Sequence, residues 1–284
     1  MSLRGAQAAP GEQAFDGEVA QAVPLAAQPA HIEIEDLRHT FRRANMATAA
    51  LDGLSLSVLP GELVAVVGPS GCGKSTLLRI AAGLLPFTSG SVRVAGRDVA
   101  GPQTDLGIVF QSPVLLDWRN VLENVLVQIE LRGLDPRRYR ERALALLADV
   151  GLGGFEDRRP RELSGGMRQR VAIVRALIHA PPLLMMDEPF GALDALTREQ
   201  MRIDLEKLWL AQRQTLIFIT HGIAEAVALA DRVVVMTPRP GRIEKIIAVD
   251  LPRPRDKAVV TSQRFAAYCE EITECFMRYG VIRY

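Results

Sequence analysis

The chain has 284 residues, of which 48% are hydrophobic and 24% are charged, a composition typical of a folded globular protein. At about 150 residues per domain, this length corresponds to one large domain, or to a domain with an appendage. The 34 basic and 33 acidic residues give a net charge of +1, so no global field attracts nucleic acid or an anionic bilayer. Any such partner would have to be recognised by a local feature of the sequence, and no nucleic-acid partner is predicted.

Membrane-spanning and secreted classes are also disfavoured by the sequence. No uncharged apolar run approaches the ~18 residues that a spanning helix needs. The first residues lack the apolar core of about 7–15 residues that defines a signal peptide, which predicts a reducing cytosol without disulfides. The three cysteines fit this prediction, because the spacing of Cys72, Cys269 and Cys275 matches no metal site.

The N-terminal half begins with a biased segment and continues with strands. Residues 1–30 are rich in Ala, Gln, Gly and Pro and predict a disordered tail. Alternating residues at 31–37 and 54–58, followed by the apolar run 63–67, predict strands. Residues 121–150 then show a helical pattern, with Pro136 near a helix start.

The second half alternates between strands and helices. Strands are predicted at 183–186, 215–220 and 232–236, and helices at about 198–210 and 223–230. This alternation indicates a parallel sheet in an α/β fold.

A C-terminal segment follows a connector at residues 251–256 that contains two prolines. Its apolar side chains recur every three or four residues, which predicts an amphipathic helix. The helix either packs on the core of its own chain or offers a docking surface to a partner. The recurring residues are Phe265, Tyr268, Cys269, Ile272, Cys275, Phe276 and Tyr279.

A glycine-rich loop joins the strand at 63–67 to a helix and satisfies the pattern GxxxxGK[ST]. Such a loop folds its N–H groups around phosphate, and the helix N-terminus adds positive potential. Lys74 is predicted to reach the β and γ phosphates of ATP, and Ser75 to ligate Mg²⁺. The predicted ATP-binding loop consists of Gly68, Pro69, Ser70, Gly71, Cys72, Gly73, Lys74, Ser75 and Thr76.

Two acidic residues end the strand predicted at 183–186. Asp187 is predicted to hold the metal, and Glu188 to orient or deprotonate the attacking water. A solvated acidic pair would be the simpler interpretation if the phosphate loop were absent. Cys72 lies among loop amides at a helix N-terminus, which predicts a lowered thiol pKa and inactivation by alkylating reagents.

A second candidate anion site lies at Ser164, Gly165 and Gly166, which open a helix within the segment LSGGMRQ. A plain helix cap would need only the serine. With this segment the sequence resembles an ABC-type ATP-binding cassette, whose signature LSGGQ appears here as LSGGM. The resemblance covers about residues 31–250. It implies that Ser164, Gly165 and Gly166 bind the γ phosphate of ATP held by the other subunit of a head-to-tail dimer.

The resemblance implies four further site residues. Phe41 matches the aromatic side chain that stacks on adenine, although the family more often has Tyr there. Gln111 matches the glutamine that touches Mg²⁺ and senses the transporter subunit. Asp194 matches the aspartate loop at the dimer seam, and His221 matches the switch histidine on the γ phosphate. The family frequently has an acidic or polar residue after this histidine, whereas this chain has Gly222.

The implied fold is a P-loop NTPase core with an N-terminal antiparallel β subdomain and a helical signature subdomain at about residues 112–168. The tail at 1–30 and the connector and helix at 251–284 flank the cassette. Segments around Trp118 and at 237–243 look like those of nitrate, sulfonate and taurine importer ATPases. In that family the neighbourhood of Trp118 receives the membrane subunit, although Trp118 could instead be a core residue.

The resemblance therefore implies an ATPase subunit of an importer. It would bind ATP and Mg²⁺ as a homodimer, act with ABC permease subunits and indirectly with an extracytoplasmic solute-binding protein, and lie peripherally on the cytoplasmic face of the plasma membrane. The alternatives are an ABC ATPase of an exporter or of another solute importer, and a soluble ABC protein of DNA repair or translation. The last usually has a coiled-coil insertion or two cassettes, whereas this chain has one copy of each motif.

Overall fold

A computed structural model describes residues 30–43 and 46–282. The tail predicted to be disordered lies outside these residues, except for Ala30. The strands are β1 Ile32–Arg43, β2 Met46–Val58, β3 Leu63–Val67, β4 Ser89–Val94, β5 Arg97–Asp98, β6 Leu106–Val109, β7 Leu183–Asp187, β8 Thr215–Thr220, β9 Arg232–Met236 and β10 Ile243–Ala248. The helices are α1 Lys74–Ala81, α2 Val121–Leu131, α3 Pro136–Asp149, α4 Gly165–Leu177, α5 Ala195–Gln212, α6 Ile223–Leu229, α7 Lys257–Val260 and α8 Gln263–Arg278.

A six-stranded sheet forms the centre of the fold, with strand order β10-β9-β3-β8-β7-β6. Strands β9, β3, β8, β7 and β6 pair in parallel, and β10 adds an antiparallel edge. Every residue of β3, β7 and β8 is buried, as expected for central parallel strands covered on both faces. The predicted α/β fold is confirmed.

The strand β3 shows how the two cores are separated. Leu63 and Val67 point into a core shared with the helices, whereas Val64 and Val66 point into a second core. Successive side chains of a strand face opposite sides of the sheet, so five consecutive apolar residues can fill both cores. Because β3 is packed on both faces, it gives the loop that follows it a rigid starting point.

The second core is closed by a four-stranded antiparallel sheet of order β2-β1-β4-β5, together with α1. This sheet confirms the predicted N-terminal antiparallel β subdomain. The strands β4, β5 and β6 were not predicted from the sequence. They are short, and β4 and β5 carry mostly exposed or half-buried residues that give no clear alternation.

The helical subdomain contains α2 and α3, which pack against each other and against α4. Asn120 and Glu123 form a reciprocal cap at the start of α2. Pro136 is the first residue of α3, as its position predicted, and the side chain of Asp135 caps this helix. The chain then reaches α4 through a short 3₁₀ turn at Pro160–Glu162.

The C-terminal helix α8 packs on the core of its own chain. Phe265, Ile272, Cys275 and Phe276 are buried in the core that contains α6. The connector before it has no helix or strand between residues 251 and 256 and contributes the buried Arg255. The guanidinium of Arg255 donates hydrogen bonds to the carbonyl oxygen of Val227 in α6 (2.6 Å) and to that of Ala230, directly after this helix (2.7 Å).

Candidate active site

The glycine-rich loop leaves β3 at its carboxyl end and enters α1 at Lys74. Gly73, the residue before the helix, has φ of 109°, a conformation that favours glycine. A β-carbon at Gly73 would lie 2.7 Å from Cδ2 of Leu51 and 2.9 Å from the carbonyl oxygen of Ala50. The loop therefore needs glycine here both for its conformation and for its contact with β2.

Lys74 is buried under the loop that it follows, with an exposed fraction of only 4%. Its Nζ donates to the carbonyl oxygens of Gly68 (2.9 Å) and Pro69 (3.3 Å) and lies 3.5 Å from Oε1 of Glu188. The fold holds the ammonium between the phosphate loop and a carboxylate, at the edge where the parallel strands end.

The adjacent carboxylates at the end of β7 point to different partners. Asp187 accepts a hydrogen bond from Oγ of Ser75 at 2.9 Å, whereas Glu188 faces Lys74. Burial raises the pKa of Asp187, and the bond from Ser75 opposes this shift. Glu188 has φ of 46°, which is rare for a non-glycine residue, and such conformations cluster at functional sites.

The pair Ser75 and Asp187 fits the requirements of Mg²⁺. This ion prefers oxygen ligands, uses one or two carboxylates and takes its remaining ligands from water and substrate phosphates. A divalent cation would add to the positive charge that Arg79 and Lys74 already place near the buried Asp187. Among the described residues, no cluster of three His, Cys, Asp or Glu side chains could hold a metal ion without further ligands.

His221 follows β8 and meets Glu188 from the neighbouring strand end. Its Nδ1 lies 3.2 Å from Oε2 of Glu188, and more than half of its side chain is exposed. The hydroxyl of Thr220 accepts from the backbone N–H of Gly222 at 3.0 Å and donates to the carboxyl of Glu225. Burial raises the pKa of Glu225. Glu225 was not predicted as a site residue, because it belongs to no recognised motif.

A cavity of about 190 Å³ connects the phosphate loop to Phe41. Phe41 is 45% exposed and packs edge-on against His39, with ring centroids 4.5 Å apart. Arg239 also lines the cavity and was not predicted as a site residue, although it belongs to the segment at 237–243 that resembles importer ATPases. The full lining is Phe41, Ala50, Ser70, Gly71, Gly73, Lys74, Ser75, Thr76, Glu188 and Arg239.

A larger cavity, of about 640 Å³, lies at the opposite edge of the sheet, where it meets Gly61, Pro182 and Thr215 at the amino ends of three strands. Ligands of open α/β sheets bind outside the carboxyl ends of the strands. The smaller cavity is therefore the candidate active site, because the loop, both carboxylates and His221 meet at that edge.

Cys72 corrects one prediction made from the sequence. Its side chain is 1% exposed and belongs to the core under the antiparallel sheet. Burial raises the pKa of this thiol, and the opposing effects of Lys74 and of backbone hydrogen bonds are smaller. The predicted reactive thiolate was therefore wrong, because the backbone of Cys72 belongs to the loop but its sulfur faces the interior.

The signature segment lies outside this cavity. Oγ of Ser164 caps α4 by accepting from the backbone N–H of Met167 at 3.2 Å. Around Gly165, no atom lies within 4 Å of where a β-carbon would stand. A β-carbon at Gly166 would lie 2.7 Å from Cγ2 of Thr197, so this glycine permits close packing of α4 on α5. Both Ser164 and Gly165 are exposed.

Two further predicted residues, Asp194 and Gln111, lie around the loop that follows Glu188. Asp194 is exposed and caps α5 by accepting from the backbone N–H of Thr197 at 3.0 Å. Hydrogen bonding by the side chain of Thr197, and secondly by its backbone, lowers the pKa of the Asp194 carboxyl. The amide nitrogen of Gln111 lies beside Gly191, 3.6 Å from where a β-carbon would stand. Trp118 is 71% exposed, so the interpretation of this residue as core was wrong.

Comparisons with known proteins identify similar chains over most of this length. A family model described as ABC transporter matches residues 51–191. An uncharacterised ABC transporter ATP-binding protein of Methanocaldococcus jannaschii is 48% identical over 85% of this chain and 89% of its own. The aliphatic sulfonates import ATP-binding protein of Bacillus licheniformis is 45% identical over 76% of this chain and 84% of its own. The taurine import ATP-binding protein of Burkholderia pseudomallei is 49% identical over 73% and 80%.

A solved structure of an ATP-binding cassette, a dimer bound to ADP and Pi, has a similar fold. Its TM-score is 0.69 at 31% identity, and the match covers 77% of this chain and 98% of that one. Within the described part of this chain, no helix has the length and apolar character needed to cross a membrane.

Proposed function

Because this chain belongs to the ATP-binding cassettes of the ABC transporters and is an ATPase, we propose that it powers solute import by binding two ATP molecules in a head-to-tail dimer. The observation that carries the proposal is the contact of Lys74 and Ser75, from the phosphate loop, with Glu188 and Asp187 at the end of β7. This arrangement joins a phosphate cradle to a metal ligand and to a candidate base.

The proposed roles follow from these contacts. Lys74 and the loop amides bind the phosphates, and Phe41 stacks on the adenine. Ser75, Asp187 and Gln111 hold Mg²⁺, which when bound neutralises charge on the phosphates. Glu188 orients the attacking water and accepts its proton.

His221 is proposed to hold the γ phosphate. Its distance of 3.2 Å from Glu188 puts it within reach of the same reacting group, and more than half of its side chain is exposed. The bond between Thr220 and Gly222 fixes the backbone on both sides of the histidine. This support keeps the imidazole in position when nucleotide arrives.

The dimer is proposed from the exposed signature segment. Ser164 and Gly165 open α4 at the surface, and neither lines the cavity of its own chain. A helix N-terminus with free surface suits a phosphate presented from outside. We infer that Ser164, Gly165 and Gly166 bind the γ phosphate in the partner's site, with Asp194 at the seam.

The transport role is proposed from the relatives, two of which are named for the import of sulfonates or of taurine. We propose nitrate, a sulfonate, taurine or a similar small solute as cargo, permease subunits as direct partners and an extracytoplasmic binding protein as an indirect one. The exposed Trp118 offers an apolar contact for a permease at the cytoplasmic face of the membrane.

The test compares Mg²⁺-dependent ATP hydrolysis by the wild-type chain and by Glu188→Gln. The glutamine keeps the shape of the side chain but cannot accept the proton, so we expect hydrolysis to fall by about 10²–10⁴-fold. ATP binding, measured with a fluorescent analogue, should persist. Equal hydrolysis by both proteins would contradict the assigned role of Glu188.

A further inference from the structure

The turn between β9 and β10 is held against the phosphate loop. A β-carbon at Gly241 would lie only 2.0 Å from the carbonyl oxygen of Cys72, so a larger residue would push the turn away from the loop. The backbone N–H of Gly241 donates to Ala50 at 2.9 Å, and its carbonyl accepts from Asp52 at 3.1 Å. The turn therefore contacts both the loop and β2.

Side chains also fix the conformation of this turn. Oγ1 of Thr237 donates to the carbonyl of Pro240 at 3.2 Å and accepts from the backbone N–H of Arg242 at 3.0 Å. Nε of Arg242 donates to Asp52 at 3.0 Å, which ties the turn to the antiparallel sheet. The residue between these anchors, Arg239, is consequently presented by a backbone that is held at both ends.

Arg239 extends from this turn into the cavity that contains Phe41 and Lys74. Its Nε donates to the carbonyl of Gly71 at 3.2 Å. A guanidinium has five N–H donors, so this bond leaves donors for a ligand. The cavity thus has two cationic side chains, of which Lys74 already faces Glu188 whereas Arg239 is exposed.

We propose that Arg239 is a further nucleotide-binding residue, which donates hydrogen bonds to the phosphates nearer the base in the ATP that the proposed function places in this cavity. A guanidinium matches the geometry of phosphate oxygens. Arg239 contacts Gly71 and shares the cavity with Phe41, whereas the γ-phosphate residue His221 does not line it. Arg239 therefore acts on ATP and on ADP alike.

The experiment measures equilibrium dissociation constants for ATP and ADP in the wild-type chain and in Arg239→Ala, Arg239→Lys and Arg242→Ala. We expect Arg239→Ala to lower the affinity for both nucleotides about tenfold, which corresponds to the loss of one charge-assisted hydrogen bond. Arg239→Lys should recover part of this loss, because it restores the charge. Arg242→Ala is the control on the same turn, outside the cavity: it removes the bond to Asp52 but keeps the backbone bonds to Thr237 and at Gly241, so it should weaken the binding of both nucleotides less than Arg239→Ala does.

The nucleotide-free unfolding midpoint separates binding from folding. We expect it to be the same in Arg239→Ala and in the wild type. Unchanged dissociation constants, a loss confined to ATP, or a fall in this midpoint without rescue by Arg239→Lys would overturn the role of Arg239. If the wild type bound no ATP, or if Lys74→Met bound it equally well, the proposed function itself would fail and this inference with it.

Discussion

At the carboxyl edge of the six-stranded sheet, polar side chains from distant parts of the chain bond to one another. Ser75 meets Asp187, and Lys74 and His221 both meet Glu188. At the amino end of α4, by contrast, Ser164 bonds only to its own helix and Gly165 faces open space. The first region brings charged and polar groups of one chain into contact, whereas the second is an exposed helix N-terminus that lies outside the cavity.

This difference predicts that substitutions in the two regions will have different consequences. At the sheet edge, Lys74, Asp187 and Glu188 are buried or half-buried, and removing one of them would leave its partner unpaired. Ser164 contributes a local helix cap, and replacing such a cap costs about 1 kcal/mol. Substitutions can therefore test the nucleotide role of the first region directly, and that of the second only when a dimer forms.

The largest effect is expected at Lys74. Lys74→Met fills the buried volume without the charge. The loss of about two charge-assisted bonds to phosphate should lower the affinity for ATP at least about 100-fold. Titration with a fluorescent ATP analogue measures the change. Circular dichroism of the nucleotide-free variant controls for folding, because the native ammonium also bonds to Gly68 and Pro69.

The next effect concerns the signature segment. With ATP, Glu188→Gln should form a stable dimer that light scattering detects, because nucleotide binds and is not hydrolysed. Adding Ser164→Arg should return the protein to monomer by placing bulk where the partner's phosphate would lie. Nucleotide should still bind, because Ser164 does not line the cavity of its own chain.

Ser164→Ala in the same Glu188→Gln background is the matched control, since it removes the same helix cap without adding bulk. We expect it to weaken the dimer less than arginine does. If the arginine variant dimerised as readily as its parent, the distinction between the two regions would collapse and the role of the segment across a dimer would be refuted.

The smallest effect is expected at Cys72, which belongs to the phosphate loop but turns away from the cavity. Cys72→Ala should keep ATP affinity and hydrolysis within about twofold, because its sulfur faces the core. Iodoacetamide should leave this thiol unlabelled in the native protein and label it in denaturant, as followed by mass spectrometry. Rapid native labelling of Cys72 would show that its burial and raised pKa do not protect it.

Local patterns predicted the scaffold of the site because they act within a few residues. The strands β8 and β9 have the bounds that their apolar runs predicted, and the glycine spacing marked the phosphate loop. The direction of Cys72 could not be predicted, since it depends on how the loop packs on Leu51 and its neighbours. The approach of Arg239 to Gly71 joins residues 168 positions apart, so no local pattern contains it.

One threonine joins the two regions. The backbone of Thr197 bonds to Asp194, its methyl group meets Gly166, and Asp194 lies six residues after Glu188. A displacement of the segment after Glu188 would therefore be carried to the signature helix by direct packing. In a dimer of the proposed kind, that helix serves the opposite nucleotide, so hydrolysis at one site would change the affinity at the other, and the two sites would act cooperatively.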